Sequence, residues 1–367
     1  MSNIIDYLKW RGDLSFEVSP FNEVDSLILA RFSYLPFHDI YLEQRESIKN
    51  IGNKMRIIPK SNFVWAEDKE FIEELSKTKR FQDLIVSDYI QKTDSEMEMQ
   101  FGAIIIWLPN GEKYISFEGT DMSMIGWKED LNMSFRTNIP SQIEALEYLE
   151  KIANKYTCNF RLGGHSKGGN LAVYSAIFCE DEIKERITDI LNADGPGFAE
   201  DTISSLRYKK IASKVHTYIP QSSVIGRLLE HEEKYTIIES KQKGIMQHDI
   251  FSWQVEATAL KKITNLTSES QTTSKILKEW LNNTTPEQRE YFINTIYEIV
   301  GKTEAKTITE FSSQWFKNIK KIIETYKTMN EYDKKQMEEM VKLTLNLIVS
   351  CVKSELVEKN KKKEIGD

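Results

Sequence analysis

Ser166 sits in a stretch where a serine hydroxyl can act as a nucleophile. The run Phe160-Arg161-Leu162-Gly163-Gly164-His165-Ser166-Lys167-Gly168-Gly169-Asn170-Leu171-Ala172 holds a G-x-S-x-G pattern between a short predicted strand and a predicted helix. A serine at the apex of a strand-to-helix turn is held in a strained conformation, and only small neighbours let strand and helix come close enough to expose its hydroxyl. The start of the helix favours the negative charge that develops in acyl transfer, and the Lys167 amide is placed to be one oxyanion donor. The plainer alternative is a Gly-rich turn that only tolerates a serine; the flanking elements and the additional glycines argue against it. A second oxyanion donor is expected from a loop after an earlier strand. Ser116-Phe117-Glu118-Gly119-Thr120-Asp121 ends such a strand, so Thr120 is the candidate, with its amide and its hydroxyl.

At these residues the chain resembles the lipase-like α/β-hydrolases of the class 3, fungal-type group, which carry an aromatic-x-Gly-Ser/Thr stretch and a G-H-S-x-G-G turn. Gly163 to Asn170, together with Asp194-Gly195-Pro196-Gly197 and the Tyr7 to Asp13 segment, is more similar to an uncharacterised bacterial family of such hydrolases. The catalytic part of the resemblance covers roughly residues 100 to 255 and implies an α/β-hydrolase fold and ester chemistry.

A base has to take the proton from Ser166, and the chain offers five histidines. His165 neighbours the nucleophile and should point away from it, His38 precedes the core, and His216 falls within a strand. His248, in Gly244-Ile245-Met246-Gln247-His248-Asp249, follows the last strand, where the resembled fold puts its histidine; His231 lies in a charged Glu230-His231-Glu232-Glu233 run that reads as a solvated helix end. His248 is therefore the expected base. The resemblance implies an acid at Tyr218 to Ser223, yet that stretch has no carboxylate. Asp194, at the end of the preceding strand, is the substitute and keeps the chain order Ser166, Asp194, His248. An equally good reading makes it the cap of a tight Asp-Gly-Pro-Gly turn, in which case Ser223 or Gln221 would orient His248. The substrate implied is a small carboxylic ester, lipid-like compounds included, with thioesters and amides open. The competing reading is a catalytically impaired binding or regulatory protein on the same scaffold.

The elements that must position these residues can be read from hydrophobic patterning. Phe101 to Leu108, a Pro-Asn-Gly turn and Lys113 to Phe117 predict a hairpin. Helix then alternates with strand: helices over Ser141 to Tyr156 and Lys167 to Cys179, strands at Asn159 to Leu162, Thr188 to Asn192, Lys214 to Ile219 and Tyr235 to Glu239. That order predicts a mostly parallel sheet with flanking helices. Earlier, Asp25 to Tyr34 and Asp68 to Lys77 read as helices, Lys49 to Lys60 as basic and irregular, and Arg80 to Tyr89 carries no clear assignment. Long helical patterns close the chain: one is capped by Thr285 ahead of Pro286 and Gln288, and two more are expected at Ile308 to Met329 and Glu331 to Val357. The expected organisation is a hydrolase domain over 1–260, including an N-terminal helical or irregular segment, and a C-terminal helical region over 261–367 that could serve as buttress, lid, partner-docking or self-association surface.

The 367 residues, 40% of them apolar, can bury a large core. The net charge of -7, from 56 acidic and 49 basic residues mixed along the chain, gives no footprint for nucleic acid. The basic run Lys359 to Lys363 is expected to be solvated. Three widely spaced cysteines, Cys158, Cys179 and Cys351, suggest neither a disulfide framework nor a metal cluster, and no nucleotide or cofactor fingerprint is present. No signal peptide or membrane span is legible, so a cytoplasmic protein is expected.

Overall fold

The computed structural model describes residues 2–121, 123–302 and 315–347. The chain opens with α1 (Ile4–Arg11) and α2 (Glu23–Phe32), then β1 (Arg45–Ser47), α3 (Ile48–Met55) and α4 (Asp68–Leu75). Three longer strands follow, β2 (Ile85–Asp94), β3 (Met99–Trp107) and β4 (Lys113–Phe117), and after α5 (Met124–Asn132) come α6 (Pro140–Lys155), β5 (Phe160–His165), α7 (Lys167–Phe178), α8 (Asp181–Arg186) and β6 (Ile187–Ala193). The short helices α9 (Glu200–Ile203) and α10 (Leu206–Ile211) lead to β7 (Val215–Pro220) and β8 (Thr236–Ile238). Among the described residues, β1 to β8 form one sheet in chain order. Pairing is antiparallel from β1 to β4 and parallel from β4 to β8. With its helices this is the α/β-hydrolase fold.

Strand order decides which side each helix covers. A right-handed crossover delivers its helix to a fixed face of the sheet, and parallel strands laid down in chain order keep returning to that same face. There Leu149, Ile152, Leu171 and Ile177 of the crossover helices pack with Ala103, Ile105, Ile115 and Leu162 of the sheet. The opposite face is left to the N-terminal helices: Ile4, Leu8, Leu27, Ile28, Ile51 and Phe71 pack there with Ile104, Ile106, Leu191 and Trp253. The alternation of β3 between the two cores is the period-2 geometry of a strand buried on both faces. The helices among residues 1 to 95 thus supply most of one of the two layers that cover the sheet, and the same stretch adds β1 and β2 to the sheet.

Local chemistry starts these helices. Asn3 and Asn22 each cap the first turn of α1 and α2, and Asp6 and Asp25 reach back to the capping residue's amide. The segment expected to be irregular, Lys49 to Lys60, is corrected in its first half. Ser47 caps α3, and Ile48, Ile51, Gly52 and Met55 form its buried face. Burial of that stripe outweighs the poor helix propensity of its Gly and Asn residues. The unassigned Arg80 to Tyr89 segment contains the start of β2, whose register shifts between Ser87 and Ile90 where Asp88 adopts a φ of 53°.

The chain divides into two compact units, 1–121 with 140–266, and 122–139 with 267–367. The second unit therefore takes in α5, which a purely linear boundary assigns to the first. Within it are α11 (Ser268–Asn282), α12 (Pro286–Gly301), the helix Trp315–Thr328 and a helical stretch over 331–347. Thr285 and Gln288 form the capping box that starts α12. Helix α5 packs on α12, with the Lys128 ammonium 4.4 Å from the Tyr297 ring centre. The rest of the two expected C-terminal helices, at 308–314 and 348–357, lies outside the described residues, as do Cys351 and the basic run Lys359 to Lys363. No helix among the described residues is long and apolar enough to cross a membrane.

Candidate active site

Ser166 occupies the junction of β5 and α7 with φ 56° and ψ −131°, a conformation that a residue with a Cβ rarely adopts. Its amide donates to the Ala193 carbonyl of β6 (2.9 Å), which ties the turn to the neighbouring strand. The glycines permit this approach: a Cβ on Gly164 would lie 2.2 Å from the Gly168 carbonyl carbon, and one on Gly168 would lie 2.2 Å from the Phe117 carbonyl oxygen. Ser166 is half-buried, whereas its neighbours His165 and Lys167 are buried.

The loop after β6 brings up the carboxylate. Asp194 is buried, has a φ of 50°, and donates its amide to the Tyr218 carbonyl of β7 (2.8 Å). Its Oδ2 lies 2.7 Å from Nδ1 of His248, and its Oδ1 accepts from the Ser223 hydroxyl (2.5 Å) and the Gly226 amide (3.1 Å). The Asp194 carboxylate thus contacts the imidazole, while the turn after β6 is capped by Asn192, whose Oδ1 accepts the Gly195 amide (3.0 Å). Ser223 donates its hydroxyl to Asp194, and Gln221 is engaged with the Ser240 backbone at 3.0 and 2.7 Å. Asn170 steadies the Asp-Gly-Pro-Gly turn by donating to the Pro196 and Gly197 carbonyls, both at 3.0 Å.

His248 ends a short 3-10 turn, Gly244–His248, with its side chain 21% exposed. The turn is anchored where Trp253 Nε1 donates to the Gln247 carbonyl (2.8 Å) and Gln247 Oε1 accepts the Ser222 amide (2.7 Å). His165 adds a second anchor, since its Nε2 donates to the His248 carbonyl (2.8 Å) and the two rings lie 4.4 Å apart. Burial, with the nearby His248 and Arg31, holds the His165 pKa well below the usual imidazole range. His165 is therefore neutral, with its proton on Nε2.

The loop after β4 lies against this turn. A Cβ on Gly119 would sit 2.5 Å from the His165 carbonyl oxygen, so the backbone leading to Thr120 runs along the elbow. Tyr34, just past α2, donates its hydroxyl to the same carbonyl (2.9 Å). Arg31 stands 4.6 Å from the Tyr34 ring centre and is paired with Asp68 at 2.5 Å, both side chains buried. Tyr34 and Arg31 escaped the sequence reading because nothing local marks a residue of the N-terminal layer that contacts a turn 131 positions away.

The remaining histidines lie elsewhere. His38 is exposed beside Asp39, and His216 is held by Asp189 at 2.9 Å, which raises its pKa. His231 corrects the reading of a solvated helix end. Its side chain is 7% exposed and pairs with Glu233 at 3.1 Å, because Glu230 bridges to Phe198 and folds the charged run inward. No cluster of metal-ligating side chains occurs among the described residues.

Among curated proteins, none matches this sequence. Of solved structures, lipase II from Rhizopus niveus is similar with a TM-score of 0.34 and 12% identity, over 59% of this chain and 78% of that one. The family comparison is more extensive: residues 75–298, which include Thr120, Ser166, Asp194 and His248, match the Mbeg1-like family. The chain belongs to the Mbeg1-like family.

Proposed function

We propose that the chain is a serine hydrolase that cleaves carboxylic esters, lipid-like ones among them, through an acyl-enzyme on Ser166. The observation that carries this reading is the 2.7 Å contact between His248 Nδ1 and Asp194 Oδ2 beside a serine held at φ 56°. With Nδ1–H donated to Asp194, the free Nε2 of His248 is the atom that accepts the Ser166 proton as Oγ attacks the ester carbonyl. The Lys167 amide and Thr120 receive the resulting oxyanion. Asp194 fixes the tautomer and stabilises the imidazolium. The imidazolium then protonates the departing alcohol, and neutral His248 activates the water that releases the acid. The alternative of a binding module rested on the want of an acid, and Asp194 weighs against it. The free thiols of Cys158 and Cys179 fit a cytoplasmic setting.

A fluorophosphonate probe should label the wild type, lose all labelling in Ser166→Ala and slow at least a hundredfold in His248→Ala. Asp194→Asn should slow labelling on the order of 10²- to 10⁴-fold in folded protein, the cost of a misoriented tautomer. Folded wild type that takes no label would favour the binding module. A series of p-nitrophenyl esters then ranks acyl-chain length.

A further inference from the structure

Lys167 follows the proposed nucleophile directly, and its side chain is 1% exposed. A lysine is almost never that buried without partners that use its charge. Its Nζ donates to the backbone carbonyl of Gln100 on β3 (2.7 Å) and to the Gln100 side-chain oxygen (2.8 Å). The other end of that carboxamide, Nε2, donates to the Gly119 carbonyl (3.3 Å). The chemistry of the partners fixes the orientation of the amide: an ammonium can only donate and a carbonyl can only accept, so oxygen must face Lys167 and nitrogen must face Gly119.

The Gly119 carbonyl belongs to the peptide whose N–H is that of Thr120. In a trans peptide the C=O and N–H point in opposite directions. Pinning the Gly119 oxygen on one side therefore aims the Thr120 amide to the other. From this geometry we infer that Lys167 is a positioning residue, which supplies one oxyanion donor from its own amide and, through Gln100, orients the peptide that supplies the second. The inference rests on the hydrolase reading above. Any sideways rotation of the 119–120 peptide would tilt its N–H off the oxyanion, and donors of this kind act only when held in place before the reaction.

The test compares full-length wild type with Gln100→Glu and Lys167→Met on a p-nitrophenyl ester and on its thionoester. Sulfur is a poor hydrogen-bond acceptor, so the ester-to-thionoester ratio of kcat/KM reports the oxyanion donors, and a loss of folded protein lowers both rates alike. Gln100→Glu keeps an acceptor for Lys167 but presents no donor to Gly119. Its kcat on the ester should fall about 10- to 100-fold with KM within threefold, and the ratio should fall at least fivefold. Lys167→Met, which removes the ammonium held by the Gln100 side-chain oxygen, should lower the ratio in the same direction. If Gln100 only solvates the buried Lys167 ammonium, Gln100→Glu will match the wild type in kcat and ratio, and the inference is overturned while the hydrolase reading stands. A wild type that neither labels at Ser166 nor turns over either substrate overturns both.

Discussion

Glu118 lies next to the oxyanion loop. It is buried in the turn that carries Gly119 and Thr120, and a Cβ on Gly102 would touch its carboxylate at 2.0 Å. Burial raises its pKa to about 8, with Asp121 adding to the shift and Lys167 and Arg31 opposing it. Between the ordinary value of 4.5 and about 8 the folded chain holds a proton that the unfolded chain has released. Stability from this group is thus complete below the ordinary value and is lost as pH rises through that window. Glu118→Gln, which stays neutral, should match the wild type in melting temperature at pH 5 and exceed it by roughly 5 °C at pH 8.5. Thermal melts at the two pH values check this; an equal difference at both would mean that the carboxyl does not titrate there. Asp194 shows what a sequence can and cannot reveal about single residues. Turn cap and imidazole partner look like competing roles on paper; the Asp194 carboxylate goes to His248, and Asn192 takes the Gly195 amide of the turn. Ser166 was legible because its constraints are local glycines; the contact of Asp194 with a residue 54 positions away is set by the sheet.

At the scale of elements, the approach of α7 to the end of β4 is the joint that forms the site. It is possible only where Gly168 meets the Phe117 carbonyl, 2.2 Å from where a Cβ would stand, and that oxygen is backbone and cannot swing aside. Gly168→Ala should therefore force the helix start away from the oxyanion loop. The expected result is a loss of about 1 to 3 kcal/mol in urea unfolding, the range for overpacking, with labelling of Ser166 slowed more than Gly111→Ala slows it. Gly111 is a fair control, since its φ of 89° strains an alanine although no atom lies within 4 Å of its Cβ position. Elements with a strong period were readable in advance: the β3–β4 hairpin, α6, α7 and the capped α12 fall where apolar spacing and turn residues put them. Helix α3 was not, because its glycine and asparagines disfavour a helix until the rest of the chain buries Ile48, Ile51 and Met55.

At the scale of the whole molecule, the N-terminal layer is an integral cover of the sheet, and one buried ion pair fastens it. Arg80 donates from Nε to Asp25 Oδ1 (2.7 Å), pairs through Nη2 with Oδ2, and donates from Nη1 to the Ser19 carbonyl (2.8 Å) and from Nη2 to the Pro20 carbonyl (3.2 Å). Both side chains are wholly shielded from water, and Tyr7 adds its hydroxyl to Asp25 at 3.1 Å. Arg80 and Asp25 together thus tie α1, α2 and the loop between them. Arg80→Met leaves the Asp25 charge buried without its cation and should cost about 3 to 5 kcal/mol; changing Asp25→Leu as well removes the stranded charge and should restore part of the loss. Because Trp253 is packed in the same core as the layer and also anchors the His248 turn, Ser166 labelling and far-ultraviolet ellipticity of the first unit should be lost at one urea concentration in both variants. If labelling fails at a lower concentration than the ellipticity, the layer peels from an intact sheet and is a detachable cover, which overturns its place as an integral part of this unit.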